Sequence, residues 1–233
     1  MKNFIEILLR DQTTGKNILW ANVEFGNKEI QPAQIDSIEP RWKKNREQQK
    51  LRTKTRAEIF TPPEVCKLQN KLICDESDWI KFIDAKFLEI TCGEAPYLVS
   101  RYNVVTGESI PIPERVGLLD RKLRLVNSET KTLTDWQEFA IRAVQSIYGY
   151  DFQGDNLFLA RRNVFETVKD YFTQKNFSCR LPEDFLIAVA TIISWNLWQM
   201  DGLKFTVPYA QKLCRIMDWR TNEPFMFMEL FGM

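Results

Sequence analysis

Two short stretches carry residue types that could handle a ligand. The first is Glu89, Ile90, Thr91, Cys92 and Gly93, followed by Glu94, Ala95, Pro96, Tyr97 and Leu98. An apolar run stopped by Cys-Gly suits a strand that ends at the edge of a sheet, where small residues let a ligand approach the backbone. A helix begun there would offer free N–H groups and a positive dipole end. The second is Tyr148, Gly149, Tyr150 and Asp151. An acid at the end of a neighbouring parallel strand is where α/β folds hold the two hydroxyls of a ribose. Taken alone, the first stretch reads more readily as a plain turn and the second as a helix cap or a surface acid.

The elements that must position them follow from periodicity. Thr61, Pro62, Pro63 and Glu64 open a helix with an apolar stripe through Val65, Leu68, Leu72 and Ile73. A second helix is expected over residues 77–86 and a buried strand over 87–90. A further helix is expected from Ala95 or Pro96 to Tyr102, and residues 103–128 read as loop. Thr134, Asp135 and Trp136 begin a helix that runs to Ala143, a strand covers 146–151, and 155–171 is a strongly amphipathic helix. Residues 185–194 are apolar and fit either a helix or a buried strand. Near the N-terminus, Ile18–Phe25 alternates like a strand. The rhythm is that of an α/β domain with a parallel sheet.

Composition narrows the chemistry. The 233 residues include no histidine and five cysteines, none in a CxxC pair. Histidine-dependent nucleophilic catalysis and histidine metal sites are thereby excluded. The odd cysteine count suits reduced thiols, no leader or spanning segment is read, and a cytoplasmic, membrane-free protein is expected. The net charge is only +1. Even so, Arg41, Lys43, Lys44, Arg46, Lys50, Arg52, Lys54 and Arg56 cluster against the single acid Glu47. Such a stretch fits either phosphate contacts or a solvated linker face.

Order and spacing then reveal a resemblance. Phe60, Thr61 and Pro62 resemble the Phe-Thr-Pro entry motif of N6-adenine DNA methyltransferases. Residues 89–98 look like that family's Asp-Pro-Ala-Cys-Gly-Ser-Gly-x-Phe-Leu loop in unbroken register, and 147–163 is similar to the segment that follows it. The likeness spans about residues 56–171 and extends to the small "M" subunits of restriction–modification systems. It implies an incomplete Rossmann-like methyltransferase sheet over 56–233, behind a small mixed N-terminal segment, 1–55. It also implies S-adenosylmethionine as cofactor, held by Phe60, Thr61, Glu89, Thr91, Cys92, Gly93, Asp151 and Phe152. Arg41, Lys43, Lys44 and Arg46 would meet DNA. Asn196 and Trp198 stand where the family places Asn-Pro-Pro-Tyr, the Asn binding the adenine amino group and the aromatic stacking on the flipped base.

The chain departs from the pattern at Glu89, Ile90, Glu94 and Ala95, and both catalytic prolines are missing. The sheet also reads as short of strands, with an apolar tail at 225–231, so a partner subunit or a second copy is expected to cover an open edge. Two further readings compete. One is a methyltransferase fold kept for binding DNA or a partner without catalysis. The other is a metal-dependent nuclease using Asp84, Lys86 and Glu89.

Overall fold

The computed structural model describes every residue except Met1, Val23, Ala57, Phe60, Cys74, Asp75 and Met233, and the side chains of Lys2 and Asn3. The chain is mixed α/β and about half helical. Its helices are α1 (Lys2–Leu9), α2 (Arg46–Arg56), α3 (Pro63–Ile73), α4 (Trp79–Asp84), α5 (Leu118–Glu129), α6 (Leu133–Gln145), α7 (Gly154–Lys175) and α8 (Glu183–Asn196). Strands β1 (Phe87–Glu89), β2 (Ile147–Asp151) and β3 (Leu197–Gln199) form a parallel sheet with β2 in the centre. Strands β4 (Arg215–Asp218) and β5 (Glu223–Met226) pair antiparallel. No helix among the described residues is long and apolar enough to cross a membrane.

The ambiguous run at 185–194 is helical, and the sheet strand comes only after it. Pro182 sits at the N-cap of α8, and Glu183 and Asp184 occupy its first turn, favourable to the helix dipole. The expected helix from residue 95 is only a turn closed by Leu98 and Val99 N–H groups on the Ala95 carbonyl. Helix α5 lies inside the expected loop, burying Leu118, Leu119, Leu123 and Val126. The 18–25 segment makes isolated bridges and no named strand. Leu9, Ile18, Trp20 and Ile30 share one buried cluster with Val164, Ile193 and Leu197. Residues 1–55 therefore pack into the same core as the rest. The apolar tail is partly covered: Phe227 is buried against Trp198, while Leu230 and Phe231 stay exposed.

Two buried cations lock the sheet ends. Arg161 of α7 is fully buried. Its guanidinium donates to the carbonyls of Leu197, Leu8, Arg10 and Ser194 at 2.7–3.1 Å. One side chain thereby ties α1, α8 and β3 to α7. Burial lowers its pKa to about 10, which leaves it charged at neutral pH. Lys122 of α5 donates to the carbonyls of Ile83 and Ala85 and to the Ser146 hydroxyl, fixing the entrance of β1 beside that of β2.

The N-terminal segment is stitched to the opposite end of the sheet. Gln199 accepts from Leu19 N and donates to Leu19 O, both at 2.7 Å. Gly154 N donates to Trp20 O at 3.1 Å. A side chain on Gly154 would place its Cβ 1.9 Å from Leu19 O, so only glycine fits there.

Arg161→Met removes the donor from three buried carbonyls and the part-buried one of Arg10, and should cost about 3 kcal/mol. Urea unfolding reads this directly, and a loss below about 0.5 kcal/mol would show that Arg161 does not hold these elements together.

Candidate functional site at the carboxyl edge of the sheet

The three parallel strands deliver their carboxyl ends to one cavity of about 620 Å³, within the range of cofactor clefts. Thr91 and Gly93 come from the turn after β1, Asp151, Phe152 and Gln153 from the end of β2, and Asp201 and Leu203 from the end of β3. Lys54, Arg56, Glu58 and Ile59 close it from the α2 side.

The turn after β1 is built tightly. Cys92 N donates to Tyr150 O at 2.8 Å, which carries the β1–β2 ladder past the named strand. Gly149 makes room for the Leu197 and Cys92 side chains, since a Cβ there would lie 2.9 Å from Leu197 Cδ2 and 3.2 Å from Cys92 Cβ. Thr91, Gly93 and Ala95 all adopt left-handed backbone (φ of 47°, 55° and 63°), which is strained for the two with a Cβ. Asp151 holds this turn against β2. Its carboxylate accepts from Gly93 N and Gln153 N, each at 2.8 Å, leaving lone pairs for a ligand. Burial pushes the Asp151 carboxyl up to about 6.

Other carboxylates occupy N–H groups that might otherwise bind anions. Glu89 accepts from Tyr97 N and Leu98 N at 3.3 and 3.2 Å. Burial drives its pKa up to about 8 against the pull of those two bonds. At the start of α7, Asp155 accepts from Asn156 N at 2.9 Å and meets Arg52 through two bonds of 2.7 and 3.0 Å. Burial alone would raise the Asp155 carboxyl, but Arg52 outweighs it and holds the group below its ordinary value. Arg52 also donates to Glu58 at 2.6 Å, and Glu58 accepts from Gln153 and Asn156, each at 3.0 Å.

Of the residues singled out from sequence, Thr91, Gly93, Asp151 and Phe152 line the cavity, while Glu89, Cys92 and Thr61 do not. Phe60 lies outside the described residues. Glu94 turns inward, accepting from Arg41 N at 2.7 Å and from the Tyr102 hydroxyl. Ala95 is fully buried. Asn196 sits at the amino end of β3, away from the cavity. Its amide donates to the carbonyls of Val144, Gln145 and Ile147 and accepts from Trp219 Nε1, so no polar atom is left for a substrate. Trp198 is 2% exposed and packs on Tyr150 and Phe227, too covered to stack on a base.

The basic stretch divides. Arg41 turns in to Glu58, and Lys44 lies 3.9 Å from Asp155 Oδ2. These two face acids of the fold, which the grouping for DNA contact did not anticipate. Lys43 and Arg46 are exposed. Asp84 pairs with Arg142, and among the described residues no cluster of three or more candidate ligands could hold a metal ion.

Glu58, Gln153 and Asp201 were not singled out from sequence, and Arg56 was grouped only with the basic stretch. Asp201 follows the apolar β3 as Asp151 ends β2, and that repeated strand-then-acid pattern was its signal. Two cavity residues carry a buried atom without a hydrogen bond: Arg56 Nε, a donor, and Gln153 Oε1, an acceptor. Arg56 also lies over the Phe152 ring at 5.2 Å and donates to the Tyr209 hydroxyl at 3.0 Å.

Comparison with protein-family models, with curated proteins and with solved structures finds no match.

The raised carboxyls predict a pH dependence. Between the ordinary glutamate value of 4.5 and about 8, the unfolded chain has released the Glu89 proton while the folded chain still holds it. Stability therefore falls as pH rises through that window and levels off above it. Asp151 contributes only up to about 6. The decline in urea midpoint from about pH 6 to pH 8.5 should shrink in Glu89→Gln. An unchanged decline would remove Glu89 as its source.

Proposed function

We propose that the carboxyl-edge cavity binds S-adenosylmethionine, and that the chain is the cofactor-holding core of an adenine-N6 DNA methyltransferase system of the restriction–modification kind. The observation that carries this reading is the pairing of Asp151 and Asp201 at the ends of adjacent parallel strands, both lining the cavity beside Gly93. Asp151 suits ribose hydroxyls, and Phe152 suits the face of an adenine. The unpartnered Arg56 Nε and Gln153 Oε1 suit the carboxylate and ammonium of the methionine portion.

Charge favours a cofactor without phosphate. A dinucleotide fold sets its pyrophosphate on free N–H groups at a helix start. Here Tyr97 N and Leu98 N after β1 meet Glu89, and Asn156 N at the start of α7 meets Asp155. Glu58, Asp151 and Asp201 line the cleft together with Lys54 and Arg56, a mixed lining that suits a ligand carrying a sulfonium and an ammonium as well as a carboxylate. Once bound, S-adenosylmethionine would supply the transferable methyl group. The chain's own residues would orient it through Asp151, Arg56 and Gln153, and the Phe152 wall would keep water from the adenosine. This arrangement is compatible with a Rossmann-like methyltransferase sheet.

The burial of Asn196 and Trp198 favours the non-catalytic form of this reading. The chain would hold cofactor and, through Lys43, Arg46 and their exposed neighbours, DNA, while the groups that position the target base come from a partner subunit.

Calorimetry with S-adenosylmethionine should give saturable binding that Asp151→Ala weakens at least about tenfold, or 1.4 kcal/mol. Asn196→Ala should instead lower stability by about 2 kcal/mol and leave binding unchanged. Absence of binding at millimolar cofactor would end the reading. Methylation of adenine-containing DNA by the isolated chain, lost in Asn196→Ala at a temperature where that variant stays folded, would restore Asn196 to a catalytic role.

A further inference from the structure

A second cavity, of about 240 Å³, is lined by Arg52 and Asp155. The large cleft is lined by Glu58 and Asn156, which bond to the same guanidinium. The two cavities share no lining residue. At this size the smaller one suits a single ring or short chain, below the ~300–1,000 Å³ of most cofactor clefts.

Its walls hold two buried donors without hydrogen bonds, Trp20 Nε1 and Lys44 Nζ. Trp20 is 4% exposed, and the Lys44 side chain is 11% exposed with its ammonium 3.9 Å from Asp155 Oδ2. An indole N–H and an ammonium sealed from water without acceptors are each costly, and buried groups of this kind ordinarily have partners. Arg52 already meets Asp155 through two bonds, so Lys44 is not needed to neutralise that acid. Phe25, Ile38 and Leu51 supply an apolar part of the lining beside these donors.

We propose that this cavity is a binding site for a small monocarboxylate with an apolar or aromatic body. The ligand's carboxylate would accept from Lys44 Nζ and Trp20 Nε1, and its body would pack on Phe25, Ile38 and Leu51. Glu24, Glu39 and Asp155 also line the cavity and oppose a dianion such as phosphate more strongly than a monoanion. The site is independent of the cofactor reading, since it uses none of the cleft's lining residues.

The test is an NMR titration of the full chain with phenylacetate, following the tryptophan indole N–H signals, with Trp20 assigned through Trp20→Phe. The expected result is a saturable shift of the Trp20 signal with a Kd on the order of 1 mM. Lys44→Met should weaken binding at least about tenfold without lowering the thermal unfolding midpoint. Benzylamine and inorganic phosphate should leave the signal in place. The proposal is overturned if phenylacetate gives no saturable shift, or if phosphate shifts Trp20 as phenylacetate does. It is equally overturned if Lys44→Met binds normally, or if Lys44→Met lowers the midpoint while Trp20→Phe binds phenylacetate as tightly as the unmodified chain.

Discussion

A guanidinium buried beside two carboxylates holds the functional end of this fold in place. Arg52 reaches from α2 to Asp155 at the start of α7 and to Glu58 on its own side of the cleft. Burial opposes the charge on Arg52, but Asp155 and Glu58 outweigh it and hold its pKa above the ordinary value. Removing one member of such a buried set leaves an uncompensated charge, which typically costs 3–5 kcal/mol. That cost would fall where the basic stretch meets the start of α7. The same ion set gives walls to both cavities, so the geometry of each depends on it.

Carboxylates decide what the main cleft will accept. In this chain Glu89, Asp151 and Asp155 each occupy backbone N–H groups at the sheet edge or helix start. Glu89 has a local use: its side chain reaches forward to cap the N–H groups of Tyr97 and Leu98. The result is a cleft with acid groups, an aromatic wall and few free anion-binding amides. Ligand class follows from that pattern more firmly than from the backbone trace alone.

Local rules were legible in the sequence where they acted over a few residues. The strand ending at Asp151 and the long stripe of α7 followed from caps and periodicity. Thr-Pro-Pro marked the start of α3, but the apolar stripe expected there, Val65, Leu68, Leu72 and Ile73, is exposed, and Cys66 and Asn70 are buried instead. Helix α8 was ambiguous because it is apolar on several faces, so neither a helical nor a strand period stands out. The inward turn of Arg41, Lys44 and Arg52 was hidden for a different reason: Asp155 is over a hundred residues from Arg52 in the chain. Composition registers the cations and cannot register such a partner. The surroundings of Asn196 were hidden in the same way. Its place after an apolar run suggested a substrate contact, while its actual partners, near residues 144–147 and at Trp219, meet it only in the folded state.

The central claim is that a phosphate-free adenosyl cofactor lies between Asp151 and Asp201. A crystal structure of the chain with S-adenosylhomocysteine tests it most directly. The account predicts density in the carboxyl-edge cleft, with the ribose hydroxyls on Asp151 and the adenine against Phe152. Density at another surface, or in the cleft with the ribose turned away from Asp151, would contradict it.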